Sequence, residues 1–243
     1  MTIVTEGIVV RQTRYGDNAI VANIYTRCEG MQSFMVRGGL KSGGKFRSSC
    51  FFPLSQVEIS YQRGKQGGGM PFLREIRLSR PYKDMYSDIR KSSVAFFLAE
   101  AMARFISQSE QDEVLYDKLA QALCEFDSRK ENIAEFHLFF LLELASNLGF
   151  APRMEGGTAY FDLREGCFCK FPPAHHDVLE AETALGLARL LSERAAQGEF
   201  PPLTLFSSSL RFNLVQALTH YCQLQCGTEG SFKSLPVLKE LFS

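Results

Sequence analysis

The chain has 243 residues, of which 45% are hydrophobic, and carries 27 basic against 27 acidic side chains. That is enough apolar material for one large core or two ordinary ones, which excludes a disordered chain. No run reaches the roughly 18 uncharged apolar residues of a membrane span, and the opening residues lack the basic-then-apolar pattern of a signal peptide, so a cytoplasmic protein with no membrane role is expected.

The zero balance hides a segregation. Twelve basic but only five acidic residues fall in the first 82 positions, against 15 basic and 22 acidic in the remainder. A basic module made for a polyanion, nucleic acid first, joined to an acidic module with another task fits this split. The seven cysteines are scattered, which points to reduced thiols and not to a disulfide framework.

From Gly7 to about Arg77 the hydrophobic period is two. Ile20, Ala22 and Ile24 alternate with Val21, Asn23 and Tyr25; Phe34 and Val36 alternate with Met35 and Arg37; Val57, Ile59 and Tyr61 alternate with Glu58, Ser60 and Gln62. Breakers stand at Gly16-Asp17-Asn18, Glu29-Gly30, 38–44 and 64–69. About five short strands in this length predict a closed OB-type barrel over 1–80, the nucleic-acid-binding domain.

After Pro81 the period becomes helical, with Val94, Phe97, Leu98, Ala101 and Phe105 on one face. Further helices are expected over 113–126, 132–148, 180–196 and 208–225. The third is apolar nearly all round, as a helix buried by its neighbours must be. A β-hairpin insertion at about 153–175 is expected from Tyr160-Phe161-Asp162-Leu163 and Cys167-Phe168-Cys169 flanking Arg164-Glu165-Gly166. The fold class is therefore α+β: a five-stranded OB-type barrel, then an all-helical partner-docking domain over 81–243.

Residues 39–45 satisfy the first part of the phosphate-loop pattern, but Phe46 stands where a hydroxyl should meet magnesium and no helix is expected to follow. A nucleotide hydrolase is thus the weaker reading. The same stretch reads better as a basic loop whose Lys41, Lys45 and Arg47, with Arg37 before them, neutralise successive phosphates; a plain solvated loop is the alternative. Arg11 and Arg14, with Tyr15, form a second basic group, and Arg63 and Lys65 a third. Tyr15, Phe46 and Tyr61 are candidate stacking surfaces, with Tyr61 in phase with the core positions Val57 and Ile59 and read as packing, and Phe34 and Phe52 assigned to the core. Cys167 and Cys169 lack zinc-ligand spacing despite His175 and His176 nearby, and Cys222 and Cys226 share a helix face. No metal, cofactor or catalytic constellation is expected; His137 and His220 are read as structural.

The opening Gly7-Ile8-Val9-Val10-Arg11-Gln12-Thr13-Arg14-Tyr15-Gly16-Asp17-Asn18 resembles the start of the RecO family of bacterial recombination-repair mediators. Ile24-Tyr25-Thr26-Arg27-Cys28-Glu29-Gly30 and Met35-Val36-Arg37-Gly38-Gly39 resemble its next two strands, and Phe136-His137-Leu138 through Leu148-Gly149-Phe150-Ala151-Pro152 its central helix and exit. The resemblance implies an OB barrel packed on a helical domain and a non-enzymatic role. It implies binding of single- and double-stranded DNA, annealing of complementary strands, and contact with the acidic C-terminal tail of the single-strand-binding protein. With RecR, such proteins help load RecA at gaps. Arg11, Arg14, Arg37, Lys41, Lys45 and Arg47 fall in the barrel that the family uses for DNA. Two departures stand out: Cys167-Phe168-Cys169 replaces a Cys-x-x-Cys cluster, and Ala134 and Glu135 stand where some relatives place an arginine facing that tail. A protein-interaction adaptor with the same barrel and no direct DNA role remains the alternative.

Overall fold

Five strands, β1 (Thr2–Tyr15), β2 (Ala19–Thr26), β3 (Gly30–Arg37), β4 (Gln56–Gln62) and β5 (Leu73–Arg80), make one antiparallel sheet in the order β3-β2-β1-β4-β5. This computed structural model describes residues 2–16, 19–37, 46–62, 69–106, 111–157, 159–198, 200–201 and 206–242. The expected period of two is observed: Ile20, Ala22, Ile24, Phe34, Val36, Val57, Ile59 and Tyr61 all enter one apolar core. Gly30 turns the β2–β3 connection at φ 65°, and Thr26 Oγ1 braces it by donating to the Gly30 carbonyl at 2.9 Å. Gly7 is required by crowding, because a Cβ there would sit 2.5 Å from Ile24 Cγ2.

The closed ladder expected of a barrel is not found among the described residues. Strands β3 and β5 are edges of the hydrogen-bonded order, tied by one parallel bridge between Met35 and Phe72, with Met35 N–H donating to the Pro71 carbonyl at 2.9 Å. A short 3-10 helix, Ser48–Phe51, follows β3 and delivers Cys50 and Phe51 to the core together with Phe46.

Helices α1 (Ile89–Phe105) and α2 (Glu113–Ser128) belong to the same compact unit as the sheet, Met1–Ser128. The predicted stripe of α1 is buried, and Asp88 caps its first turn by accepting from Arg90 N–H at 2.8 Å. Polar anchors join sheet and helices. Buried Gln56 donates to the Ala120 carbonyl at 2.8 Å and to Tyr82 Oη at 2.9 Å. Buried Asp127, at the end of α2, accepts the N–H groups of Lys83, Asp84 and Met85 at 2.8, 2.9 and 2.7 Å. The change of period at Pro81 therefore marks a change of secondary structure, whereas the packing boundary lies at Ser128.

The second unit, Arg129–Ser243, is built on α3 (Phe136–Asn147), in which every residue from Phe136 to Ala145 is buried. It starts four residues later than expected, since Asn132 adopts a left-handed φ of 54°. The expected hairpin is β6 (Tyr160–Asp162) with β7 (Cys167–Cys169), and β8 (Val178–Glu180), which the sequence did not announce, pairs on the other side of β6. Helices α4 (Ala181–Gln197) and α5 (Ser208–Cys226) match expectation, while α6 (Leu235–Phe242) was not foreseen. Phe161 lies edge-on between Phe168 and Tyr221, at ring separations of 4.9 and 5.7 Å, and so fastens the hairpin to α5. Gly166, at φ 66°, fits only because it lacks a Cβ, which would lie 2.6 Å from Tyr221 Oη. The buried Glu143 of α3 is neutralised by Arg194 of α4. All seven cysteines are free thiols.

Replacing Asp127 by Ala strands three backbone donors and is expected to cost about 3 kcal/mol of unfolding free energy, read from the urea midpoint. Replacing the exposed Arg27, which pairs with Asp117 at 2.9 Å and Glu113 at 3.1 Å, should change that midpoint little. A second expectation concerns His137, whose burial, reinforced by the charge of Arg211, lowers its pKa to about 3. Below pH 6.5 the unfolded imidazole takes up a proton that the folded one refuses, so stability falls on acidification. Between pH 7 and 5 this costs about 2 kcal/mol. The His137→Gln variant should lose correspondingly less stability over the same interval; an identical loss in both proteins would refute the assignment.

Candidate nucleic-acid interface

Strand β1 changes character at a bulge between Val9 and Arg11. From Thr2 to Ile8 it pairs with β4, β2 joins it from Gly7 onward, and Gly7, Ile8, Val9 and Val10 are buried; beyond the bulge it pairs only with β2 and is exposed. Cross-strand partners share a face, so the register gives three outward rows. These are Arg11–Asn23–Ser33, Thr13–Val21–Met35 and Tyr15–Ala19–Arg37. Asn23 and Ser33 are bonded at 3.3 Å. Arg14 pairs with Ile20, which in turn pairs with Val36, both buried, and so belongs to the opposite phase, at the exposed end of the hairpin.

Arg11, Tyr15 and Arg37 are thus brought together, while Arg14 is not. Tyr15 is 62% exposed, and Arg47 is exposed beside the 3-10 helix. Phe46 corrects the sequence reading: at 6% exposure it is a core residue lying edge-on to Phe51, with no free face for a base. Phe52, assigned to the core from sequence, is 44% exposed and rests on Tyr86 at a ring separation of 5.4 Å. Tyr61 is packed as expected and donates to Glu29; its burial, with that carboxylate nearby, raises its pKa. Lys41, Lys45, Arg63 and Lys65 lie outside the described residues, as does most of the phosphate-loop stretch; Phe46 leads only into a four-residue 3-10 helix.

Two residues were missed by sequence reasoning. Phe72, 47% exposed, lies under the Arg37 guanidinium, which is 4.5 Å from its ring centroid. Arg74, two positions further on and exposed, falls on the same side of the chain. The signal was available: Leu73 is core, so its neighbours at 72 and 74 must point away from it.

The arginines of this region share a lack of carboxylate partners. Among the described residues, Arg11, Arg14, Arg37, Arg47 and Arg74 take part in no ion pair, as is also true of Arg80 and Arg153, whereas Arg27, Arg77, Arg90, Arg104, Arg164, Arg194 and Arg211 each face a carboxylate. The other half of the sheet carries acid: Glu6 lies opposite Glu58, and Arg77 holds Glu58 at 2.7 Å.

In the second unit, His220 contacts Asp177 at 2.9 Å and His175 contacts Asp162 at 3.2 Å, pairings that sequence spacing did not reveal. The bond from His220, with that from Arg164, lowers the pKa of Asp177. No cluster of three or more metal-ligating side chains occurs among the described residues, and no helix among them is long and apolar enough to cross a membrane. A cavity of about 350 Å³ opens between α5 and α6, lined by Phe212, Val215, Leu238 and Phe242, with Lys239 at its wall and Arg211, which faces Glu135, beside it. Glu135 turns inward, accepting Phe206 N–H at 2.9 Å.

Two family profiles match the chain. One is described as "Recombination protein O N terminal" and matches residues 1–82, and the other as "Recombination protein O C terminal" and matches residues 86–235. The chain is 32% identical over 247 residues to the DNA repair protein RecO of Christiangramia forsetii, and 30% identical over 245 residues to that of Flavobacterium johnsoniae, each match covering 100% of both chains. It is also 33% identical over 184 residues to the DNA repair protein RecO of Porphyromonas gingivalis, covering 72% of this chain and 74% of that one. With both halves matched in order, the chain belongs to the recombination protein O family.

Proposed function

We propose that this chain is a cytoplasmic DNA-repair protein. It binds single- and double-stranded DNA through the outward face of β1, β2 and β3, and it anneals complementary strands. The cations are Arg11, Arg14, Arg37 and Arg47, together with Lys41, Lys45, Arg63 and Lys65, which lie outside the described residues, and Tyr15 is a stacking ring. Phe46 is left out because it is a core residue. The sheet is read as an OB-type barrel, a reading supported by its strand order and by the bridge that ties β3 to β5. The role is non-catalytic and needs no cofactor: the protein organises strands and partners.

One observation carries the DNA reading. Arg11, Arg14, Arg37, Arg47 and Arg74, exposed and without carboxylate partners, cluster on the outward sheet face and its margins, while Arg90, Arg104, Arg194 and Arg211 of the helices are ion-paired. An unpaired, exposed guanidinium has its full charge available for a phosphate, and releasing a counterion on contact favours association. The names of the relatives agree with this reading.

The second unit is read as the docking module for RecR and for the acidic tail of the single-strand-binding protein, through which RecA loading at gaps is served. The cavity between α5 and α6 suits such a tail better than the acidic composition of the unit implies. Its apolar walls can take a hydrophobic side chain, and Lys239 and the first turn of α5 offer positive charge to a carboxylate.

The reading is tested by fluorescence anisotropy of a labelled single strand across a salt series. Log affinity should fall linearly with log salt, by about 0.7 per phosphate neutralised. Changing Arg11, Arg14 and Arg47 together to Glu should lower that slope by about 2 and leave the urea midpoint unchanged. An unaltered slope rejects these residues as the site. No binding by the unsubstituted chain even at low salt favours the adaptor reading.

A further inference from the structure

Resting on the DNA reading above, we infer that Tyr15, Ala19, Arg37 and Phe72 form a slot for one unstacked base, which makes the protein prefer single-stranded over double-stranded DNA. Tyr15, Ala19 and Arg37 lie side by side across β1, β2 and β3 in one register row. Neighbouring strands are about 4.8 Å apart, so Tyr15 and Arg37 leave the sheet about 10 Å from each other with only a methyl group between them. Two flat walls enclosing one base need about 6.8 Å at a stacking repeat of about 3.4 Å, a separation that two long side chains leaning over Ala19 from about 10 Å apart can reach.

Both walls are flat and one is braced. The Arg37 guanidinium carbon lies 4.5 Å from the centroid of the Phe72 ring, so the cation is held against an aromatic surface beside the row. Phe72 is itself held by its bridge to Met35, the position two before Arg37 on β3. Tyr15, on the far side of Ala19, is exposed and makes no hydrogen bond or ring contact among the described residues. Ala19 is a poor strand former among β-branched neighbours, and any larger side chain there would occupy the gap.

The occupant follows from chemistry. Aromatic and guanidinium walls select a flat π-system, and the unpaired arginines at 11, 37 and 74 select a polyanion, so the ligand is a nucleobase carried on a phosphate chain. In a duplex each base is stacked on both sides and paired at its edge, and it cannot enter without being pulled out of the helix at an energetic cost. A single strand presents its bases freely. Phosphate contacts attract both forms, and the slot discriminates between them.

The test is Ala19→Ile, which adds a strand-favouring side chain, changes no charge, and blocks the floor of the slot. Affinities for a 20-nucleotide single strand and for the duplex of the same sequence are measured at one salt concentration, with Tyr15→Ala and Phe72→Ala alongside. Each variant should bind the single strand about tenfold more weakly, the size expected of one lost stack, with duplex affinity and the salt slope unchanged. A single strand carrying one 2-aminopurine should be quenched by the unsubstituted protein and not by Ala19→Ile. Equal losses on single strand and duplex, or no loss at all, overturn the slot while leaving DNA binding intact. Failure of the unsubstituted protein to bind either form removes the DNA reading and the slot together.

Discussion

The bulge between Val9 and Arg11 decides what the first half of the molecule can present to solvent. Before it, β1 is the central strand of the sheet, paired with β4 from Thr2 to Ile8 and with β2 from Gly7, and its stretch from Gly7 to Val10 is buried. One extra residue shifts the phase, so that Val9 and Val10 both face apolar neighbours and the following arginine emerges. Beyond that point β4 no longer accompanies β1, and the β1–β2 hairpin projects with Arg11, Thr13 and Tyr15 on one side. Without the bulge, a strict period of two would carry Arg11 onto the face of Val9, and Tyr15 would leave the row of Arg37. The proposed interface is therefore a consequence of one backbone irregularity placed between a core segment and a basic one.

The electrostatic contrast between the two halves rests on pairing more than on composition. Surface ion pairs such as Arg90 with Asp88 or Arg164 with Asp177 add little to stability. They do cancel charge locally, which removes those side chains from the long-range field. Among the arginines left without carboxylates, Arg11, Arg14, Arg37 and Arg47 gather where the sheet is most exposed. A chain of zero formal charge can thus carry a directional positive potential, which is what steering a polyanion requires.

Much of this was legible in the sequence. Alternation at 20–25, 34–37 and 57–62 gave the strands, and the apolar run 136–142 gave the buried helix, because each is a local pattern repeated on one face. The charge split located the cations. What escaped was decided by tertiary contacts. Phe46 sits among glycines and lysines and looks like a loop residue, yet it is drawn into the core with Cys50 and Phe51. Phe52, six positions on, is left outside by the same short helix. The strand β8 is three residues long and exists only because β6 offers a free edge. The bulge has no sequence signature here, since Val9-Val10-Arg11 contains neither glycine nor proline. Asn132 ended the upstream extension of α3 by a backbone conformation that composition did not announce.

The anchors between sheet and helices explain why the change of period near residue 81 and the limit of the compact unit do not coincide. Gln56 is buried on β4, and its amide is satisfied by Tyr82 and by the α2 backbone. Tyr82 in turn donates to the Leu54 carbonyl at 2.9 Å. Asp127 gathers the amides of 83–85, and Lys91 Nζ donates to the Asp127 carbonyl at 2.6 Å. Buried polar groups of this kind are costly only when a partner is taken away. Cutting the chain at residue 80 would strip Gln56 of its acceptors while leaving it among apolar neighbours. The two family profiles meet between residues 82 and 86, yet the sheet gains its polar closure from α1 and α2. The stretch that carries the outward rows is tied by these anchors to helices that lie outside the proposed interface, and with them the first unit extends as one compact body up to Ser128.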